Sequence, residues 1–306
     1  MNQKSGQLGF SDAVVEQRRC FLDDVDALID WKPFEKELAG VYNSGRGRPS
    51  YPRLALFKTL LLQQWYGLSD PAIEEALADR ISFRRFAGLS LHDNIPDHST
   101  ICRFRAQAQS LMSRLLDLLN LQFEQRGFMI KEGTMMDATF VKAASSKNGV
   151  DPDAGRYGRH PDKSVTGYKA HVGTDKGSGL VQRVIVTPAN VNDTTPADDL
   201  VMGDEAAVYA DKAYDKDERR ARLSGQGVFV GIMHRPCPGR PLTAGQVEFN
   251  KAMTKLRAPV ERVFAALKLY YRLRRSRYIG LLRTRAQLML AVIAMNIKRA
   301  LVLAEA

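Results

Sequence analysis

Three carboxylates in this sequence stand where a carboxylate is costly or conspicuous. Asp137 lies in Gly133-Thr134-Met135-Met136-Asp137-Ala138-Thr139-Phe140-Val141, and Asp211 ends the apolar run Ala206 to Asp211. Both runs are rich in strand-forming residues, and a carboxylate in or at the end of a buried strand needs a cation to compensate it. The third, Glu261, lies in Leu256 to Lys268. There, at about 100° per residue, Arg257, Glu261 and Lys268 fall on one helix face, and Val260, Val263, Ala266 and Leu267 form an apolar stripe that fixes it. Alone, Arg257 and Glu261 would be an ordinary surface ion pair worth a few tenths of a kcal/mol. Two strand aspartates followed by a helical glutamate point further, to oxygen ligands for hard divalent cations of the kind used in phosphodiester chemistry.

The charge distribution points to the same class of partner. The formal net charge of the 306 residues is +11. Residues 251–306 hold 13 Lys or Arg against two acids, whereas the first 250 are balanced at 32 of each. The whole excess therefore lies beside Glu261, which favours a polyanion. Arg272, Arg274, Arg275 and Arg277, interleaved with Tyr270, Tyr271 and Tyr278, form its densest patch. Cys20, Cys102 and Cys237 are too far apart for a disulfide framework, and the apolar run Leu288 to Met295 is too short to span a bilayer. A soluble protein of a reducing compartment is expected.

The elements that must position these residues follow from periodicity. Asp12 to Tyr42 is expected to be helical, followed by a basic break at Asn43 to Pro49 and an apolar helix over Leu54 to Tyr66. Ser69-Asp70-Pro71 caps the next helix. After Ile81 to Phe86, Asp97 or Ser99 caps a helix whose exposed side is expected to carry Thr100, Arg103 and Arg105. Short helices ending in an arginine-bearing one fit a helix-turn-helix, and equally an accessory or dimerisation domain.

Beyond a helix over Leu111 to Gln125, strands are expected at Met129 to Val141, Gly167 to Thr174, Leu180 to Thr187, Ala206 to Asp211 and Val228 to Met233. Helices are expected from Thr195 to Met202 and from Asp215 to Leu223. The polar stretch Lys142 to Thr166 is expected to be a loop. Thr243 and Gln246 form a capping box for the helix of Glu261, which Pro259 must kink or restart. A last helix runs from Thr284 to about Leu303. Three antiparallel strands followed by alternating parallel β and α units predict an α/β, ribonuclease-H-like fold. Its mixed five-stranded sheet is flanked by helices, over residues 128–306, and an all-helical domain precedes it over 1–127. That topology would gather Asp137, Asp211 and Glu261.

With these residues in view, the chain resembles a DDE transposase of a bacterial insertion sequence, of the insertion sequence five group within the four/five superfamily. The resemblance rests on Gly47-Arg48-Pro49, on Pro96-Asp97-His98-Ser99-Thr100-Ile101 with Arg103-Phe104-Arg105, and on Gly167-Tyr168-Lys169-Ala170-His171-Val172-Gly173. It continues through Thr187-Pro188-Ala189-Asn190-Val191-Asn192-Asp193, Ala210-Asp211-Lys212-Ala213-Tyr214 and Arg257-x3-Glu261-x6-Lys268. Thr254 stands where the signature has tyrosine. The resemblance implies a cytoplasmic, nucleoid-associated dimer that binds terminal inverted repeats and target DNA, without membrane or nucleotide cofactor. It implies Mg²⁺, with Mn²⁺ as substitute, on Asp137, Asp211 and Glu261. Phosphate contacts would come from Arg257 and Lys268, with Lys169 and His171 flanking the site, and further DNA contacts from Thr100, Arg103, Arg105 and the arginines at 272–277. A nuclease of the same fold and a DNA-binding regulator without catalysis are the rival readings.

Overall fold

The computed structural model describes residues 20–41, 51–146, 149–158, 164–239 and 241–305. Its centre is a sheet in which β1 (Thr134–Lys142) pairs antiparallel with β5 (Val165–Asp175) and parallel with β7 (Ala207–Ala210), which in turn pairs parallel with β8 (Phe229–Ile232). β6 (Val181–Pro188) covers the outer edge of β5. The expected five ranks are present, and the outermost is shared by two strands, because β4 (Gly155–Tyr157) pairs with the start of β5 beyond the end of β6. A minor ribbon of β2 (Ser145–Ser146) and β3 (Gly149–Val150) stands apart. Three antiparallel strands followed by two parallel ones, with a helix between β7 and β8, give the ribonuclease-H-like topology.

The β4 strand corrects the expectation of a loop over Lys142 to Thr166. A Cβ at Gly155 would lie 2.2 Å from Asn190 Oδ1 and 2.6 Å from the Asn190 nitrogen, so glycine alone lets this strand press against the following loop. Tyr157 then stacks on Phe140 at 5.1 Å. Neither contact leaves a period-two hydrophobic signature. The hairpin between β5 and β6 is as expected: Asp175, buried, accepts from Ser178 N at 2.8 Å and Ser178 Oγ at 2.6 Å, and Gly179 takes φ +74°.

Among the described residues, seven helices precede the sheet: α1 (Phe21–Leu28), α2 (Lys32–Leu38), α3 (Arg53–Tyr66), α4 (Asp70–Asp79), α5 (Ile81–Ala87), α6 (His98–Ala108) and α7 (Met112–Gln125). The expected helix over Asp12 to Tyr42 is broken where Ile29 turns extended and Pro33 opens α2; residues 12–19 and 42–50, the basic break among them, lie outside the described residues. Ser69 and Asp97 cap α4 and α6 as expected. α8 (Asp217–Gly225) links β7 to β8. Between β6 and β7 only a single 3-10 turn forms, at Asp198–Leu200, in place of the helix expected from Thr195 to Met202.

Two long helices complete the chain. α9 (Ala244–Leu269) starts at the Thr243–Gln246 capping box and runs on through Pro259, so of the two expected outcomes, a kink or a restart, the restart does not occur. α10 (Leu281–Ala304) is long and apolar enough to cross a membrane by length and composition, but 72% of its most apolar window is buried inside the structure. It lies between the N-terminal helices and β6, and joins them in one hydrophobic core. Its Asn296 accepts from Val181 N at 3.0 Å and donates to Val181 O at 2.8 Å, and its Ala294 carbonyl accepts from Trp65 Nε1 at 2.9 Å. The opposite sheet face has a separate core of Met136, Val208, Tyr214, Leu223 and Ile232.

Candidate active site

The two aspartates meet because of strand register. Thr134 pairs with Val208 and Met135 with Tyr209; the same offset carried two residues further sets Asp137 beside Asp211. Asp137 points to the face covered by α9, which packs on both β1 and β7. Asp211, just beyond β7, turns back to cap the following 3-10 turn, its Oδ1 accepting from Ala213 N at 2.7 Å.

Asp137 is largely withdrawn from water. Its Oδ1 accepts from the Ala138 amide at 2.8 Å and its Oδ2 from Arg257 Nη2 at 3.0 Å. Desolvation pushes its pKa above the ordinary carboxylate range; Arg257 and the Ala138 amide pull it down, and the negative charges of Asp211 and Glu261 push it up again. Glu261 stands one helical turn beyond Arg257 on the same face and is solvent-exposed. Asp137 therefore lies within electrostatic reach of both other acids.

They do not close into a cage. Among the described residues, no three His, Cys, Asp or Glu side chains are arranged to hold a metal ion as they stand. Three mutually repelling anions have no reason to converge without a cation, and the nearest cation is the Arg257 guanidinium on Asp137. The donor set still suits a hard divalent ion. It is all oxygen, and neither Glu261 nor Asp211 Oδ2 has a hydrogen-bond partner among the described residues.

Several expected DNA contacts are placed differently. Asp137 pairs with Val172, so its face of the sheet is that of Val172 and Ala170, and Lys169 and His171 belong to the other face. Lys169 is bound to the Val191 carbonyl and to Asp193, each at 2.9 Å. His171 is fully buried, Nε2 lies 2.9 Å from Thr187 Oγ1, and burial lowers its pKa to about 4. It is a neutral core histidine. Arg105, expected on an exposed face, is mostly buried, bidentate to Asp70, and donates to Gln63 Oε1 at 2.9 Å.

The other cations are accessible. Arg103 is exposed and folds back on the first turn of α6, donating to the Ser99 carbonyl and the Thr100 hydroxyl. Lys268 is half-buried, and Arg272, Arg274, Arg275 and Arg277 are exposed. Their turn is fastened to the end of the Asp137 strand, where Lys142 N donates to the Arg274 carbonyl at 3.1 Å and Ser276 N to the Lys142 carbonyl at 2.7 Å. Thr254 is exposed, with its hydroxyl bonded to the Asn250 carbonyl inside the helix.

Two neighbours have no role in the sequence reading. The Tyr214 hydroxyl is buried with no partner among the described residues; burial and then the charges of Asp137, Asp193 and Asp211 push its pKa far up. Asp193, paired with Lys169, also acts electrostatically on that hydroxyl. Both residues sit in motifs already visible in the sequence, but nothing in linear spacing brings them together.

A sheet of this strand order, with acids at the adjoining ends of two central strands, defines a ribonuclease-H-like protein. The family described as Transposase DDE domain matches residues 129–297, and that described as Transposase domain (DUF772) matches residues 11–107. The chain belongs to the DDE transposase family and is a DNA transposase, an enzyme of phosphodiester cleavage and strand transfer. Solved structures similar to it include a piggyBac transposase synaptic complex with hairpin DNA, at 10% identity and TM-score 0.49, covering 92% of this chain and 75% of that one. Another is a Mos1 transposase paired-end complex with left transposon end, at 11% identity and TM-score 0.23, covering 78% of this chain and 86% of that one.

Proposed function

We propose that this transposase serves an insertion sequence of the five group, binds the inverted repeats at its ends, and excises and reinserts it by cut-and-paste transfer. Residues 1–127 bind DNA and dimerise, residues 128–306 perform the chemistry, and the dimer works at the bacterial nucleoid. The observation that carries the site assignment is the register that sets Asp137 beside Asp211 under the helix bearing Glu261.

Asp137, Asp211 and Glu261 would hold the divalent ions, Mg²⁺ by preference and Mn²⁺ as a substitute. Such ions supply activation of a water or a DNA 3′-hydroxyl and stabilise charge at phosphorus. Asp137 is held by the Ala138 amide and Asp211 by the Ala213 amide, so two of the three anchors are fixed by backbone. Lys268 and the arginines at 272–277 take phosphates of the bound strand, and Arg103 with Thr100 takes those at the helical end. Arg257 acts first on Asp137, its partner in the free protein, and reaches phosphate only once that contact is given up.

The test is cleavage and joining of DNA carrying the terminal repeats. Asp137→Asn, Asp211→Asn and Glu261→Gln are each expected to abolish both products while sparing binding. Cleavage near the unmodified rate in any of the three would overturn that residue's assignment.

A further inference from the structure

A second concavity lies away from the acidic residues. A cleft of about 180 Å³ opens between α3, α6, the arginine turn and the first half of α10. Its lining includes Arg272, Arg277 and Arg283, and none of these guanidiniums forms an ion pair among the described residues. Their positions are built: Arg272 takes φ +56°, its guanidinium lies against Gly67, where a Cβ would stand 3.0 Å from Nη2, and the Arg277 amide donates to Gln287 Oε1 at 2.9 Å.

The same cleft offers a ring and an acceptor. Tyr278 lines it, with the Arg105 guanidinium 5.7 Å from the ring centre and the Tyr278 amide bonded to Ser276 Oγ. Tyr270, also lining it, is 74% exposed. Gln109 contributes a buried amide oxygen that has no hydrogen-bond partner among the described residues.

Guanidiniums held in no ion pair are open to an anion, the tyrosine faces select a flat ring, and an unpaired buried carbonyl selects an N–H donor. We infer that this cleft receives one unstacked nucleotide of the bound DNA, its base against Tyr278 and Gln109 and its phosphates on Arg272, Arg277 and Arg283. A base inside a duplex cannot enter a recess between helices, because its faces are covered by its neighbours and its edge by its partner. The site is therefore selective for a single-stranded end or an unpaired position. This inference rests on the chain acting on DNA, but not on the roles of the three acids.

The experiment uses the full-length protein in EDTA, without added divalent ions, so that the DNA stays intact. A duplex with a single-stranded overhang carries one 5-iododeoxyuridine in the overhang; a blunt duplex carries the same base paired. After irradiation, crosslinked peptides are mapped by mass spectrometry, and affinities for both DNAs are measured with and without Arg283→Gln. The overhang is expected to crosslink at Tyr270 or Tyr278 and the blunt duplex at neither. Arg283→Gln, at an exposed position that leaves the fold intact, is expected to weaken overhang binding roughly tenfold more than blunt-duplex binding. Crosslinks confined to other elements, or equal weakening of both DNAs, would overturn the inference and reduce the cleft to general phosphate surface. Equal displacement of the overhang by a free deoxynucleotide and by an unlabelled overhang would assign the cleft to free nucleotides instead and overturn the DNA assignment.

Discussion

Arg257 Nη2 stands 3.0 Å from Asp137 Oδ2, joining residues 120 positions apart, with both side chains mostly withdrawn from solvent. The guanidinium occupies one oxygen of the most buried acid in the site and so does electrostatically what a metal ion would do there.

Replacing Arg257 by Met therefore leaves a desolvated carboxylate without a counter-charge. A loss of roughly 2 kcal/mol is expected, below the range for fully buried pairs because Asp137 keeps some contact with water. Urea denaturation measures it, and added Mg²⁺ is expected to stabilise the variant more than the unmodified protein. Equal stabilisation of the two would show that Arg257 and the ion do not compete.

Asp211 has a second, structural duty as the cap of the 3-10 turn that follows it. Asp211→Asn keeps the accepting oxygen and is expected to retain stability while losing cleavage. Asp211→Ala loses the cap as well, at a cost of about 1 kcal/mol. A thermal melt of both variants separates the two duties.

Arg103 and Arg105, two positions apart on α6, are expected to behave oppositely. Arg105→Ala strips Asp70 and Gln63 of a part-buried partner and is expected to cost roughly 2–3 kcal/mol of stability. Arg103→Ala is expected to leave stability within about 0.5 kcal/mol while weakening DNA binding and flattening its dependence on log salt by about one unit. Denaturation and anisotropy titrations at several salt concentrations check both.

His171 makes folding pH-dependent with a defined sign. Its pKa falls from 6.5 to about 4 on burial, so the unfolded chain takes up a proton below pH 6.5 that the folded chain refuses until about pH 4. Stability from this group is complete above 6.5, declines as the pH falls to 4, and is constant below; the full span is roughly 3 kcal/mol. His171→Gln is expected to remove that share of the slope. An unchanged slope between pH 6.5 and 4 would mean that His171 does not set it.

Much of the architecture is legible in linear order. Period-two runs around Asp137 and Val172, the Ser69, Asp97 and Thr243 caps and the Asp175 turn each report local forces that act within a few residues. The three carboxylates proposed as the site also stand out in linear order, two of them because a carboxylate in an apolar run is conspicuous wherever it ends up. What only the tertiary structure decided concerns partners distant in sequence. Register put Lys169 and His171 on the sheet face away from Asp137, packing buried Arg105 on Asp70, and close backbone approach at Gly155 turned an expected loop into a strand. The chain alone also could not reveal that Arg257 rests on Asp137, nor that the buried Tyr214 hydroxyl feels its charge. Electrostatic and steric partnership depends on distance in space, and spacing along a chain reports distance only within a single helix, strand or turn.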